Sequence, residues 1–492
     1  MSPHMPRPVI GGAAQIIQRV EDPREAIEPL GLMEEAIRKA AQDAGAPALV
    51  ESIDAIFVPQ GLWRYGDPGR LLADRLGCPG ARTMVGAISG HIVQLLVNRA
   101  CQQIASGQSE VIAIVGAESE NSKRRLLRRN EPLHWDDEIA GEPDAHVGGV
   151  EYLKSEDEKR ARVLNPTTVF SLCDTSMRSA RGETPAQHRD RISNLYEKMS
   201  AVASKNPYAW IQREVPANEI RNPSESNRMV SYPYTKLMTS NISVDQGAAL
   251  IVCSTEAARR YGIADEKWVY LDASTEMSHT ILLSERDQLH RHPGQVLAAN
   301  RVLERAEKET SDLDFIDLYT CFPFAVQAGA EALGVGLDPV PSLTGGMTFF
   351  GGPFGNYVLH SKAAMVEKLR ANPGTTGVIG SVGGAFAHFS YGLYSTDPGT
   401  QAGPLIEDVS DEFASMPRRA YREGHAGDVT IESYTVHVAH SGPRNASFAA
   451  LTPGGERVWG LSEDGDLLSS LLDDEDACGR AATIREGRIT LR

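Results

Sequence analysis

Two apolar runs limit what this chain can fold into: Val111-Ile-Ala-Ile-Val-Gly116 and Gly247-Ala-Ala-Leu-Ile-Val-Cys253. A strand with no polar side chain on either face has to be covered on both sides. Stretches with helical spacing flank both runs. Leu30, Met33, Ile37 and Ala41 share one face of a predicted helix that stops at Gly45. A second predicted helix runs from Ile92 to Ser106 and is closed by Gly107. Helices alternating with buried strands predict an α/β chain with a parallel, doubly covered sheet.

The rhythm breaks at about residue 123 and restarts near residue 268. The segment 123–238 has mixed charge and several prolines, and reads as a loop and helix insertion over the sheet, near the mouth of a site. After it come the strand Phe315-Ile-Asp-Leu-Tyr, a glycine-marked turn Gly351-Gly-Pro-Phe-Gly355, a helix to about Leu369 and the strand from Gly377. This unit repeats the layout of Met84 to Glu118 with negligible identity, so the two halves are read as a duplication. From about residue 403 the chain changes again. β-branched residues from Val429 and a Pro453-Gly-Gly turn predict a small β-rich, barrel-like domain. The predicted division is 1–262, 263–402 and 403–492.

With 492 residues, the chain is long enough to bury a large core. A net charge of −16 disfavours non-specific nucleic-acid binding but allows a local basic patch for a phosphorylated ligand. The first residues lack an apolar leader, and no apolar run is long enough to cross a bilayer, so a cytoplasmic protein without a membrane partner is expected. The six cysteines are scattered without a CxxC and read as reduced thiols. His134, beside Trp135 and three acidic residues, reads as part of a solvated acidic loop rather than a metal cluster. His290 and His292 read as an exposed charged turn. The run Lys123–Arg129 reads as a solvated helix face, with contact to the phosphates of a nucleotide as the alternative.

Several motifs resemble the thiolase superfamily. Gly107 with Gly116-Ala-Glu-Ser resembles the G…GxES segment, and Asp245-Gln-Gly-Ala-Ala the D-G-A-A segment. Tyr319-Thr-Cys-Phe resembles the H-D-C-F box of sterol-carrier-protein-type thiolases. Gly345-Gly with Gly351-Gly-Pro-Phe-Gly resembles their G-G…G-H-P-x-G box, and Val378 to Gly384 the strand of the C-x-G motif. The match spans roughly residues 5–400. The C-terminal segment resembles the extra domain of thiolase-like proteins described as acetyl-CoA acetyltransferases. The resemblance implies a five-layer α/β/α/β/α core, an acyl-CoA thioester as substrate or ligand with no other cofactor, and a homodimer or a monomer. A partner protein with an OB-fold is a further expectation.

The same alignment puts Gly90 where the nucleophilic cysteine belongs, Gly352 in place of the activating histidine, Tyr319 in place of the H-D-C-F histidine, and Ser381 near the second cysteine. Glycine carries neither an acyl group nor a proton, so ordinary thiolase turnover is not expected. Ser89, Gly90, His91, Gly351, Gly352 and Ser381 are the expected substrate-binding positions. Tyr319, His388 and Tyr391 are the expected acid/base residues, the last two on one side if their stretch is helical. Ser89 and His91 as a nucleophile and base are disfavoured, because residues two apart on a helix diverge. Cys321 and Cys101 read as inert buried thiols. Three functions remain open: an acyl-CoA-directed transferase, acetyl-CoA acetyltransferase-like, or lyase working by retro-aldol or Claisen-type acid/base chemistry; a silent acyl-CoA-binding protein; and a structural subunit of another enzyme.

Overall fold

Both apolar runs become neighbouring strands in the first of two stacked sheets flanked by helices. The computed structural model describes residues 6–133, 135, 141–149, 152–399 and 403–492. The first sheet contains β1 (Pro8–Ile17), β2 (Ala55–Pro59), β3 (Arg82–Gly86), β4 (Val111–Ser119) and β5 (Ala145–Val147). A short pair, β6 (Met229–Ser231) and β7 (Tyr234–Thr235), follows in sequence but belongs elsewhere, and β8 (Asp245–Ser254) completes the sheet. Its order is β1-β8-β4-β2-β3-β5. The expectation of a parallel sheet needs correction: β8 runs antiparallel to both β1 and β4.

The second sheet is built from β9 (Tyr270–Met277), β10 (Phe315–Asp317), β11 (Thr376–Gly383), β12 (His388–Ser395) and β13 (Leu405–Asp408), in the order β10-β11-β12-β9-β13. The run β1-β8-β4-β2 of the first sheet matches β9-β12-β11-β10 of the second, with β8 and β12 each antiparallel to both neighbours. In the chain, β3 precedes the central helix of the first half, and the short helix Gly346–Phe349 precedes that of the second. The duplication is therefore visible in topology even though the residues differ.

Between the sheets lie two helices, Ile92–Ala105 and Tyr357–Ala371, each touching strands of both halves. Their burial extends nearly all round, as a helix in a central layer requires. Outer helices cover the other faces. Pro29–Asp43 lays Leu30, Met33, Ile37 and Ala41 on the first sheet, and Pro293–Ala306 packs on the second. Together they make the five layers of a thiolase fold.

The insertion supplies the helices Pro166–Ala180 and Pro185–Ala203, and its β6–β7 hairpin joins a third sheet. That sheet is a closed barrel of β14 (Gly427–Ala439), β15 (Gly442–Leu451), β16 (Arg457–Ser462), β17 (Ala481–Arg485) and β18 (Arg488–Leu491). The circuit is β14-β15-β16-β18-β17 and back to β14, with the helix Gly465–Leu472 between its third and fourth strands. This is the topology of an OB-fold. Alternate residues Ala446, Phe448 and Ala450 fill the barrel, while Ala449 and Trp459 point into the core of the body. The outer face of β15 and β16, where OB-folds commonly hold ligands, is thus used for docking. Arg457, fully buried, donates to the carbonyls of Leu283, Ser284 and Arg286 and pairs with Glu432, and Trp459 Nε1 donates to Ser284 Oγ at 2.8 Å. Among the described residues no helix is long and apolar enough to cross a membrane.

Candidate active site

β3 ends at Gly86, where any side chain would press into Ile92. The chain then turns through Ala87–His91, and the helix begins only at Ile92. Ser89 and Gly90 therefore precede the helix, and the rule that separates residues two apart on a helix does not apply to them. Ser89 Oγ lies 2.5 Å from His91 Nδ1, and His91 Nε2 lies 3.1 Å from Ser278 Oγ. Both partners are hydroxyls, which donate or accept, so each neutral tautomer satisfies both contacts; the one with Nδ1 as acceptor and Nε2 as donor lets Ser89 donate to the ring. The expectation that this pair would diverge is corrected by the late helix start.

His91 is buried, and burial holds its pKa well below the ordinary histidine value, with His388 adding to the effect. The two rings stand 5.0 Å apart at 60°. His388 Nε2 contacts Thr280 Oγ1 at 2.7 Å, whereas its Nδ1 is buried without a partner among the described residues. Burial also lowers His388, to about 4, with a smaller push from His279. Both imidazoles are uncharged at neutral pH and able to accept a proton.

Gly90 faces Tyr319 directly. A Cβ at position 90 would overlap the Tyr319 hydroxyl and the Val382 carbonyl oxygen and stand 2.5 Å from Tyr319 Cζ. The phenol thus fills the space a longer side chain would need. Ser381 Oγ pairs with Ser390 Oγ at 2.6 Å, and Ser390 Oγ reaches the His91 carbonyl at 3.4 Å. Ser381 braces the turn from beneath. A Cβ at Gly383 would overlap both Ser89 Oγ and His91 Nδ1, so glycine there leaves room for the pair.

The second glycine-marked turn is sealed. Gly351, at φ +116°, would direct a Cβ into Gln246, and Gly352 into the Ser240 hydroxyl. Ser240 N donates to the Cys321 carbonyl at 3.1 Å, which links Gly352 to the Tyr319 segment by one intervening residue.

Tyr391 does not join this group. Residues 388–395 form a strand, not a helix, so side chains three apart lie on opposite faces. His388 faces the first half, while Tyr391 faces outward to Gln295 on the outer helix. His292 also departs from expectation: it is buried among Phe386, Phe389 and Phe413 and caps the helix Pro293–Ala306 by accepting from Gly294 N. In the basic run, Lys123 and Arg124 pair with Glu120, and Arg125 holds the carbonyls of Val20 and Glu21. Cys101 and Cys321 are buried, and burial pushes both thiols up. His134 and Asp136–Glu138 lie outside the described residues, and among the described ones no three His, Cys, Asp or Glu side chains gather as metal ligands.

Sequence reasoning missed Ser278 and Thr280, which orient the two imidazoles from the loop after β9. It also missed Lys362, a buried amine bonded to Gln94 Oε1 and the Tyr394 hydroxyl, which burial brings down to about 7. Lys362 shares its helix with His360, Ser361, Glu367, Lys368 and Arg370, so the sequence did not set it apart.

The whole chain superposes on the monomeric SCP2-thiolase-like protein type 1 of Mycobacterium smegmatis, with TM-score 0.83, 28% identity and coverage of 100% of this chain and 99% of that one. The Ltp2–ChsH2(DUF35) aldolase shares the fold at TM-score 0.60 and 18% identity, over 81% of this chain and 100% of that one. An acetyl-CoA acetyltransferase of Methanothermobacter thermautotrophicus is 26% identical over 257 residues, 46% of this chain and 65% of its own length. The curated relatives are matched over less than two thirds of their own lengths. No protein-family model matches the chain.

Proposed function

The chain belongs to the thiolase superfamily, and from that premise we propose that it binds acyl-CoA thioesters at the Ser89–His91 turn and acts on them by acid/base chemistry, without a cysteine intermediate. The observation that carries this reading is the Tyr319 hydroxyl beside Gly90, in the space a side chain at that position would need. A phenol and two neutral imidazoles can polarise a carbonyl and move a proton, but none of them stores an acyl group as a thiolate does.

The reaction that suits this set is retro-aldol cleavage of a 3-hydroxyacyl-CoA. The unpartnered Nδ1 of His388 takes the 3-hydroxyl proton and the C2–C3 bond breaks. An aldehyde or ketone leaves, and the thioester enolate is protonated at C2. The Tyr319 hydroxyl and the free N–H groups at the helix start face the developing oxyanion. The likeness to an aldolase complex, at the level of fold, agrees with this choice.

Purified protein mixed with 3-hydroxyacyl-CoA esters is expected to release a carbonyl compound, and Tyr319→Phe to reduce the rate by about 10²-fold or more. Binding of acetyl-CoA by calorimetry without turnover of any such ester would transfer the conclusion to a second reading, a silent acyl-CoA-binding protein. Absence of both binding and turnover would refute the proposal.

A further inference from the structure

Ser89 and His91 form a hydrogen-bonded hydroxyl–imidazole pair whose hydroxyl the acid/base route leaves without a chemical task. We propose that Ser89 is a nucleophile that takes an acyl group from a thioester or activated ester, with His91 as its base and Ser278 as the residue that orients His91. This rests on the preceding reading only for the identity of the acyl donor.

Three observations converge on it. Ser89 Oγ and His91 Nδ1 are 2.5 Å apart, a short and direct hydrogen bond between a hydroxyl and its prospective base. His91 Nε2 is held from behind by Ser278 Oγ at 3.1 Å, and when that hydroxyl accepts from Nε2–H, Nδ1 is free to accept from Ser89. The backbone N–H groups of Gly90 and His91 have no acceptor among the described residues, and they adjoin the serine at the start of a 14-residue helix. Free amides next to the nucleophile are the donors an oxyanion requires. Gly383 keeps the space beside the pair clear, and the turn reaches solvent through Ile88, which is 45% exposed.

The chemistry closes without an absent reagent. Ser89 Oγ attacks the thioester carbonyl carbon while its proton passes to His91 Nδ1. The carbon–sulfur bond then breaks, and the thiolate leaves with the proton from His91. Water, deprotonated by His91, attacks the Ser89 ester and releases a carboxylic acid, and the serine regains its proton. The cavity of about 30 Å³ next to Thr280 and Gly384 has room for roughly one water. Burial keeps His91 neutral before the attack and disfavours its charged form, so the proton it takes passes on promptly to the leaving thiolate.

The test uses a fluorophosphonate probe, which phosphonylates activated serines and needs no CoA recognition. Full-length protein is expected to be labelled at Ser89, located by peptide mass spectrometry. Ser89→Ala should abolish labelling at that site, and His91→Asn should slow it by about 10²-fold or more. Ser89→Cys preserves the size of the side chain; its new thiol should be alkylated by iodoacetamide faster than the native half-buried Cys478. Folded protein that binds acetyl-CoA yet leaves Ser89 unlabelled, with slow alkylation of the new thiol in the Ser89→Cys variant, would overturn this inference and leave the acid/base reading intact. Labelling of Ser89 without CoA affinity would support the pair and count against the CoA reading.

Discussion

The two halves place a glycine-marked turn at the start of each central helix, but only the first turn meets solvent. At Ser89–His91, Gly90 is half-exposed and carries polar neighbours on both sides. At Gly351–Gly355, by contrast, Gly351, Gly352 and Pro353 are buried, with Gln246 and Ser240 packed where side chains would stand. Both turns use glycine for close approach of the backbone to the other half. The difference shows that close approach is a structural need of the duplicated scaffold, whereas chemistry needs close approach together with an open side.

The largest expected effect is on acid stability, because the layers around the Ser89–His91 turn and the second central helix bury several histidines. His388 titrates at about 4 in the fold and His360 at about 3, against 6.5 when unfolded, and His91 and His292 are shifted the same way. Between these values the unfolded chain binds more protons than the folded one. Stability is therefore fully present above pH 6.5 and is lost as pH falls toward 4. Each imidazole contributes a slope of roughly 1.4 kcal/mol per pH unit in that window. Urea midpoints from pH 7.5 to 4.5 should show several imidazoles' worth of slope. His360→Asn, within the second helix, should remove about one share, and a flat profile would contradict the burial of this group.

Restoring a side chain at the two turns should separate them next. Gly90→Cys forces Cβ onto the Val382 carbonyl oxygen, a backbone atom that cannot swing aside. A loss on the order of 1–3 kcal/mol is expected, with no gain of thiolase turnover. Gly352→Ala meets only the hydroxyl of Ser240, which can rotate, and should cost less. Equal losses in urea unfolding would erase the proposed distinction.

A third contrast concerns the buried polar groups of the two helices. Lys362, in the second helix, is brought to about 7 by burial against 10.5 when unfolded. Stability gains from its neutral form as pH rises from 7 toward 10.5, and below 7 the full penalty of a buried charge applies. Lys362→Met should raise the urea midpoint at pH 6.5 and flatten the alkaline rise. Unchanged alkaline dependence in the variant would assign the rise to another group.

Much of this architecture was legible in the chain. The spacing of Leu30, Met33, Ile37 and Ala41 marked an outer helix face, and the apolar runs at Val111 and Gly247 marked doubly covered strands, because burial on one or two faces leaves a period in sequence. The Pro453-Gly-Gly turn marked the β15–β16 hairpin. Strand direction left no such period, so the antiparallel placement of β8 went unread. The pairing of Met229–Ser231 with the barrel joins segments some two hundred residues apart and has no local signal. At the site, Tyr319 and Gly90 were identified through the resemblance. Ser278 and Thr280 were not, since a serine or threonine in a loop looks the same whether or not it orients a histidine. His292 was misplaced because Arg291 and its charged neighbours masked a buried aromatic cluster.

The smallest effect tests the two faces of β12. His388 looks inward to His91, and Tyr391, an odd number of residues later, looks outward to Gln295. Tyr391→Phe removes one hydroxyl from a buried hydrogen bond on the outer side. It should cost about 1 kcal/mol in urea unfolding and leave turnover of 3-hydroxyacyl-CoA esters unchanged, while Tyr319→Phe impairs turnover. The pair of variants isolates position from chemistry, since both replace the same phenol by the same ring. If Tyr391→Phe slowed turnover as much as Tyr319→Phe, the separation of the strand's two faces would carry no functional meaning, and the outer helix would have to communicate with the turn at Gly90 through the sheet.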